Sequence, residues 1–242
     1  MEKKGHYVLV HGACHGAWCW YKVITQLKSM GHKVTAMDLA GAGIHPKQVQ
    51  EVQSFPDYFE PLMNFMASVQ PEEKVILVGH SLGGYSISAA MERFPEKVAV
   101  AVFATAFMPG PNLPYLTISQ QLNERLSPDK TMDSQFLFRN GLDKPPTSDL
   151  TLALTLVRHV GVFNDEESVK AVAVTKEKYG TVPRVYVVCG KDNVIKEDFQ
   201  RWMIENNPSD EVKSISDSDH MVMFSKPNQL RTCLEEIAEK YT

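Results

Sequence analysis

Short runs of consecutive apolar residues alternate along this chain with stretches in which apolar residues recur every three or four positions. The apolar runs predict buried strands, and the periodic stretches predict amphipathic helices. Strands that are apolar at every position belong to a parallel sheet with helices packed on both faces. The sequence therefore predicts an α/β fold with a mostly parallel sheet. Strands are predicted at 6–12, 32–41, 74–79, 97–107, 184–190 and 211–217, and helices at 17–30, 57–69, 82–94, 197–207 and 227–240.

One segment, 108–181, interrupts this alternation. It contains several prolines and aromatic residues without a clear strand pattern, and the alternation resumes after it. An irregular segment between two strands of one sheet is typical of an insertion rather than of a second domain. We therefore predict a single core formed by 1–107 and 182–242, with 108–181 inserted as a cap.

Composition and charge exclude several classes of protein. Hydrophobic residues make up 43% of the 242 residues, enough for a large core. The net charge is −4 and like charges do not cluster, which argues against a nucleic-acid surface or a basic membrane-binding patch. No apolar stretch reaches the length of a membrane span. The four cysteines form no CxxC pair, so free thiols and a cytoplasmic location are expected.

The sequence VILVGHSLGG (75–84) places Ser81 between Gly79 and Gly83, where a predicted strand meets a predicted helix. This is a G-x-S-x-G pattern in the strand–turn–helix context of a nucleophile elbow. There the serine takes a strained, positive-φ conformation that presents its hydroxyl above the sheet. The two glycines remove side chains that would clash as strand and helix approach. Ser81 is therefore the candidate nucleophile.

An elbow serine needs a histidine as base and an acid to orient it, in the order serine, acid, histidine. His220 is the one histidine in the C-terminal third, and it follows the last predicted strand. Asp192 follows the strongly apolar strand 184–190. By itself Asp192 is an ordinary turn residue, but together with Ser81 and His220 it completes a triad in the required order.

Three other aspartates compete with Asp192. Asp217 and Asp219 lie too near His220 in sequence to reach its ring easily from a separate strand, and we expect them to shape the loop. Asp38 ends a predicted strand but precedes Ser81, so it breaks the order of the triad.

The glycine-rich loop 11–18 is expected to complete an oxyanion hole. One donor should be the N–H of Leu82, which follows the nucleophile, and the other the N–H of Ala13 in this loop. His11 and His15 are four residues apart, but they lie in a loop rather than on a helix and lack the glutamate of an HExxH site. We expect them to brace the loop, and we expect neither a metal nor another cofactor.

With these residues placed, the chain resembles the plant α/β-hydrolase family of methyl esterases and hydroxynitrile lyases. That family includes salicylate and jasmonate methyl esterases and polyneuridine aldehyde esterase. The resemblance covers almost the whole chain and implies an α/β-hydrolase fold, a Ser81–Asp192–His220 triad and an oxyanion hole from Ala13 and Leu82. The similar segments are VLVHGACHGAW, GHKVTAMDLAGAGI, EKVILVGHSLGG, EKVAVAVF, KYGTVPRVYVVC, EDFQRWMIENNP and SDHMVMFSKP.

Differences within that family favour its esterase branch. Lyase members carry a threonine where this chain has Gly12 and a lysine where it has Met221. They also tend to have an acidic residue at the position of His80. Members that form methylketones have lost the serine that is kept here as Ser81. The resemblance therefore implies ester hydrolysis.

The substrate is expected to be the methyl ester of a small hydrophobic acid, of jasmonate, salicylate or indole-acetate type, or of a specialised metabolite. An apolar pocket with few polar groups suits such a compound. Gly12 and His80 are also assigned to substrate binding. The apolar candidates for the pocket are Phe107, Met132, Phe136, Phe138 and Met221, of which the resemblance places Phe107, Phe136 and Met221 near the acyl group.

Several alternatives stay open. The triad could serve a lyase, ester cleavage could trigger loss of CO₂, or the pocket could bind a ligand without turnover. Compared with the family, we expect a shortened cap that lacks a helical segment between Ser148 and Asp149. Besides a small-molecule ester as substrate, a homodimer formed with a second copy of the chain stays open.

Overall fold

The computed structural model describes residues 4–125, 148–161 and 163–242. Its centre is a six-stranded sheet in which every pair of neighbouring strands is parallel. The spatial order is β2-β1-β3-β4-β5-β6. The strands are β1 (His6–Val10), β2 (Lys33–Met37), β3 (Val75–His80), β4 (Val98–Ala104), β5 (Arg184–Cys189) and β6 (Glu211–Ile215).

The strand sequences explain their positions in the sheet. The central strands β1 and β3 are buried at every residue, as expected for strands covered on both faces. The outer strands have fewer buried positions, since β2 has none and begins with the exposed Lys33, while β6 buries only Ile215. The predicted parallel α/β architecture is confirmed.

Helices cover both faces of the sheet. Side chains of α1, α8 and α9 pack into a core on one face, and those of α2, α3 and α7 pack into a core on the other. Within the described ranges, no helix combines the length and apolarity needed to cross a bilayer. The helices are α1 (Tyr21–Ser29), α2 (Phe55–Ser68), α3 (Gly83–Arg93), α4 (Tyr115–Arg125), α5 (Ser148–Leu156), α6 (Glu166–Ala171), α7 (Glu197–Asn206), α8 (Val222–Ser225) and α9 (Pro227–Tyr241).

Some predicted boundaries were wrong for identifiable reasons. The strand predicted at 97–107 ends at Ala104, because Thr105 takes a φ of 39° and leaves the extended conformation. The helix predicted at 17–30 begins as a 3₁₀ turn, Ala17–Trp20, before α1. Its first N–H, that of Ala17, donates to the carboxylate of Asp38 at 2.7 Å.

The insertion lies between β4 and β5, which are neighbours in the sheet. Its described parts include the helices α4, α5 and α6. The hydroxyl of Ser168 in α6 accepts the N–H of Phe55 at 2.9 Å, which joins the insertion to the start of α2. The division of the chain into a core and a cap stays a prediction.

Arg158, two residues after α5, ties the insertion to two loops of the core. Its backbone N–H donates to the carbonyl of Cys14 at 3.0 Å. Its guanidinium donates several hydrogen bonds to a second loop, at 43–48. A planar guanidinium suits this role because its N–H donors are held in a fixed geometry. The acceptors are the carbonyls of Gly43 (3.2 Å), His45 (2.9 Å) and Lys47 (3.0 Å) and the side-chain oxygen of Gln48 (3.1 Å).

We predict that Arg158→Ala lowers the free energy of unfolding by about 1–3 kcal/mol, because it removes hydrogen bonds from a charged donor and leaves carbonyls unsatisfied. Urea denaturation of the purified variant measures this change. Arg201→Ala is the matched control, since Arg201 is an exposed arginine paired with Glu197 in the same helix. Such exposed pairs contribute about 0.3–0.5 kcal/mol. Equal effects of the two substitutions would show that the Arg158 contacts do not hold the insertion.

Candidate active site

Ser81 lies in the turn between β3 and α3 with a φ of 52°. A Cβ on Gly79 would lie 2.8 Å from the carbonyl oxygen of Gly83, and a Cβ on Gly83 would lie 2.7 Å from that of His11. Real Cβ atoms do not approach so closely, so both positions require glycine. The turn therefore has the strained geometry expected of a nucleophile elbow.

Asp192 and His220 meet in a buried pair. The Nδ1 of His220 lies 2.7 Å from Oδ2 of Asp192, and both side chains are almost fully buried. The other carboxylate oxygen, Oδ1, accepts the N–H groups of Val194 at 2.7 Å and Ile195 at 2.9 Å. The structure thus brings together the predicted acid and base and holds the acid in one orientation.

The loop that carries Asp192 is clamped by Gln200 from α7. The fully buried amide of Gln200 accepts the N–H of Cys189 and donates to the carbonyls of Cys189 and Ile195 at 3.0, 3.0 and 2.6 Å. Gln200 escaped the sequence analysis because a glutamine within an amphipathic helix carries no signal of its own.

The three competing aspartates have structural contacts instead. Asp219 accepts the N–H of Met221 at 2.9 Å, and Asp217 pairs with Lys226, so both shape the loop around His220. Asp38 accepts the N–H groups of Ala17 and Ile44, which links two loops.

His80, directly before the candidate nucleophile, contacts the candidate base. Its Nε2–H donates to the backbone carbonyl of His220 at 2.7 Å, and the two ring centroids are 4.7 Å apart. A hydrogen bond between Ser81 Oγ and the His220 ring is not formed in this structure. Catalytic hydrogen bonds of this kind often tighten only when substrate binds. These contacts of His80 are to His220, so its assignment to substrate binding stays a prediction.

The loop after β1 approaches the elbow closely. A Cβ on Gly12 would lie 2.8 Å from Cβ of Ser81 and 2.9 Å from Nδ1 of His80, so a side chain at this position would collide with both residues. Neither the Ala13 N–H nor the Leu82 N–H donates a hydrogen bond within the part of the chain that the structure describes. Their assignment as oxyanion-hole donors stays a prediction.

His11 and His15 contact the backbone of the same loop. The Nδ1–H of His11 donates to the carbonyl of Gly12 at 2.8 Å, while its Nε2 accepts the N–H of Leu39 at 3.0 Å. His15 places Nδ1 2.7 Å from the carbonyl of Ala13 and stacks on Trp18. These contacts agree with a bracing role. Across residues 4–125, 148–161 and 163–242, histidine, cysteine and acidic side chains form no cluster suited to a metal ion.

Two of the predicted pocket residues can be placed. Phe107 donates its N–H to the carbonyl of Ser81 at 3.1 Å and stacks on Tyr85 with ring centroids 5.1 Å apart. Met221, next to His220, is 4% exposed and packs mostly into the core formed with α1, α8 and α9. Met132, Phe136 and Phe138 lie outside the described residues.

Burial keeps the histidines around the site neutral. Desolvation lowers the pKa of His11, lowers that of His80 well below its usual value, and lowers that of His15 to about 4. For His80 and His15, the proximity of His220 adds to the effect, because one positive charge disfavours another. Together these neutral rings bring little positive charge of their own to the site.

We predict that the stability of the protein falls as pH is lowered from 6.5 to about 5.5. In this range the unfolded chain binds protons at His11, His15 and His80, whereas the folded protein excludes them because their pKa values are lowered. More than one proton should be taken up on unfolding, so the free energy of unfolding should fall by more than about 1.4 kcal/mol per pH unit.

Urea denaturation at closely spaced pH values measures this slope. His15→Asn should reduce it by up to one proton, and His159→Asn, at an exposed position, serves as the matched control. A free energy of unfolding that stays constant across this range would contradict the prediction.

Similarity to known proteins identifies the family of this chain. The profile described as "Alpha/beta hydrolase family" matches residues 7–231. Methyl jasmonate esterase 1 from Vitis vinifera is 56% identical over 262 residues, covering 100% of both chains. Because that alignment is longer than the 242 residues of this chain, it contains gaps in this chain.

The chain is also similar to a second named esterase and to a solved crystal structure. Polyneuridine aldehyde esterase from Rauvolfia serpentina is 42% identical, covering 98% of this chain and 97% of its own length. The crystal structure of tomato methylketone synthase I complexed with 2-tridecanone is 45% identical, covers 99% of this chain and 100% of that one, and superposes with a TM-score of 0.91. By sequence and by fold, this chain belongs to the α/β-hydrolase family.

Proposed function

We propose that this protein is a serine carboxylesterase that hydrolyses the methyl ester of a small hydrophobic acid, with Ser81, His220 and Asp192 as its triad. The observation that carries the proposal is the buried Asp192–His220 pair, at 2.7 Å, beside a serine held at a φ of 52°. Relatives named as esterases and methylesterases support a hydrolase acting on ester bonds.

In the first half of the reaction, Ser81 Oγ attacks the ester carbonyl while His220 Nε2 accepts its proton. Asp192 holds the ring through Nδ1–H and stabilises the imidazolium that forms. The oxyanion of the tetrahedral intermediate accepts the Ala13 and Leu82 N–H groups, each lowering the barrier by about 3 kcal/mol. Leu82 directly precedes α3, so the helix dipole adds positive potential at this point.

In the second half, the imidazolium of His220 protonates the leaving methanol. Water then attacks the acyl-enzyme, with His220 again as the base, and the intermediate collapses to release the acid and Ser81. The neutral state of His80, whose ring centroid is 4.7 Å from that of His220, matters here. A second positive charge at that distance would oppose formation of the imidazolium.

The substrate class follows from the aromatic residues beside the elbow and from the names of the relatives. Tyr85 stacks on Phe107 and contacts Tyr115 edge-on, each with ring centroids 5.1 Å apart, and the Phe107 N–H donates to the carbonyl of Ser81. Aromatic and aliphatic surface favours an apolar acyl group. Relatives named for methyl jasmonate and for polyneuridine aldehyde support either a jasmonate-type acid or a specialised metabolite.

We predict that Ser81→Ala abolishes methyl-ester hydrolysis, with a loss of about a thousandfold or more, because the acyl-enzyme can no longer form. Ser86→Ala is the matched control. Ser86 is a fully buried serine in α3 whose hydroxyl has no hydrogen-bond partner among the described residues. It should keep wild-type activity. Turnover by Ser81→Ala within tenfold of wild type would overturn the assignment of the nucleophile.

A panel of methyl esters defines the substrate. Methyl jasmonate, methyl salicylate, methyl indole-acetate and the polar ester methyl lactate are incubated with the protein, and the acids are measured by mass spectrometry. An aromatic cyanohydrin tests the lyase alternative. We expect hydrolysis of at least one apolar ester and little of methyl lactate. A folded protein that is inactive on every ester would refute the proposed function.

A further inference from the structure

Thr105 combines two unusual properties at the end of β4. It is fully buried, and its φ of 39° lies in the region that β-branched residues rarely occupy. Its N–H nevertheless donates to the carbonyl of Val187 in β5 at 2.9 Å. Strained backbone of this kind persists only where surrounding contacts over-determine it, and it is concentrated at functional sites.

The side chain of Thr105 supplies such a contact. Its hydroxyl donates to Oδ2 of Asp192 at 2.5 Å, and this is the oxygen that faces Nδ1 of His220 at 2.7 Å. The Oδ1 atom is already occupied by the N–H groups of Val194 and Ile195. Among the described residues, Thr105 is therefore the one donor that shares Oδ2 with His220.

We propose that Thr105 is a positioning residue whose hydroxyl aims Oδ2 of Asp192 at His220 and sets how much negative charge the imidazole experiences. This inference rests on the proposed function, because it assigns His220 the role of base. A donor to a carboxylate stabilises its charge and reduces its pull on a neighbouring cation. The carboxylate is also confined to one rotamer, since each of its oxygens is bonded.

The groups that face His220 are largely uncharged. His80 and His15 both lie close enough to influence its protonation, and burial lowers the pKa of each. Asp219 precedes His220 in sequence and turns its carboxylate to the N–H of Met221. Substitutions of Thr105 leave this aspartate unchanged.

The groups that face Asp192 are uncharged as well. Burial raises the pKa of the Tyr186 hydroxyl and of the Cys189 thiol, so both remain protonated at neutral pH. Lys191, the preceding residue, is exposed to solvent. The charge that His220 experiences within the buried site is therefore dominated by Asp192, and Thr105 acts on it directly.

The test compares Thr105→Val, which keeps the β-branched shape and loses the hydroxyl, with Thr105→Ser, which keeps the hydroxyl. Without its donor, Oδ2 carries more charge and stabilises the imidazolium. The acid limb of kcat/KM against pH should therefore move to higher pH by about half a unit to one unit in Thr105→Val. Its kcat should fall about tenfold to a hundredfold. Thr105→Ser should retain the wild-type profile.

Thr105→Gly covers the case in which the valine variant fails to fold, because glycine relieves the positive φ while also removing the hydroxyl. It should show the same displaced acid limb. Unchanged acid limbs in the variants that lack the hydroxyl would overturn the proposal. A shift of equal size in Thr105→Ser would also overturn it, since that result would indicate a packing effect.

A second measurement separates this inference from the proposed function. Protonation of His220 is followed by NMR with ¹⁵N-labelled histidine, and its signal is assigned by its absence in His220→Ala. The titration midpoint should rise in Thr105→Val and Thr105→Gly even if no ester in the panel is hydrolysed. Lack of turnover with this rise would refute only the esterase activity, and turnover without the rise would refute only the role of Thr105.

Discussion

Three backbone segments meet at the elbow with no space for side chains between them, and the rest of the site depends on this contact. A Cβ on Gly84 would lie 1.9 Å from the carbonyl oxygen of Phe107. The same close approach lets the Phe107 N–H donate to Ser81 at 3.1 Å. On the other side, Gly12 brings the loop after β1 against Ser81. Ser81, the loop after β1 and Phe107 are thus fixed relative to one another by main-chain packing.

Burial determines which side chains around Ser81 and Asp192 carry a charge. The histidines near the elbow are kept neutral by desolvation, and the buried tyrosine and thiol near Asp192 keep their protons. A carboxylate surrounded by neutral groups acts strongly on a neighbouring imidazole, because little else screens it. A hydrogen bond to Asp192 therefore changes the negative charge felt by His220 more than the same hydrogen bond would at the protein surface.

The sequence alone predicted much of this arrangement. Runs of apolar residues located all six strands of the sheet, and the order of Ser81, Asp192 and His220 after predicted strands selected three side chains of which two are in direct contact. These features are visible because burial and turn geometry impose strong, local sequence patterns. Strand and helix ends were less accurate, since they depend on single hydrogen bonds such as that from Ala17 to Asp38.

Thr105 and Arg158 escaped prediction for a different reason. Their partners lie 87 and more than 100 residues away in sequence, and neither residue belongs to a motif whose order would relate it to those partners. A threonine at the end of an apolar strand also resembles an ordinary strand residue. Its importance depends on a backbone angle, which one sequence does not reveal.

The hydrogen bonds of Arg158 also bear on how members of this family vary. Its backbone is joined to the loop after β1 at Cys14, and its guanidinium fixes the loop at 43–48. Because Arg158 holds both loops, we expect changes in the length of the segment that precedes it to leave the positions of these loops unaltered.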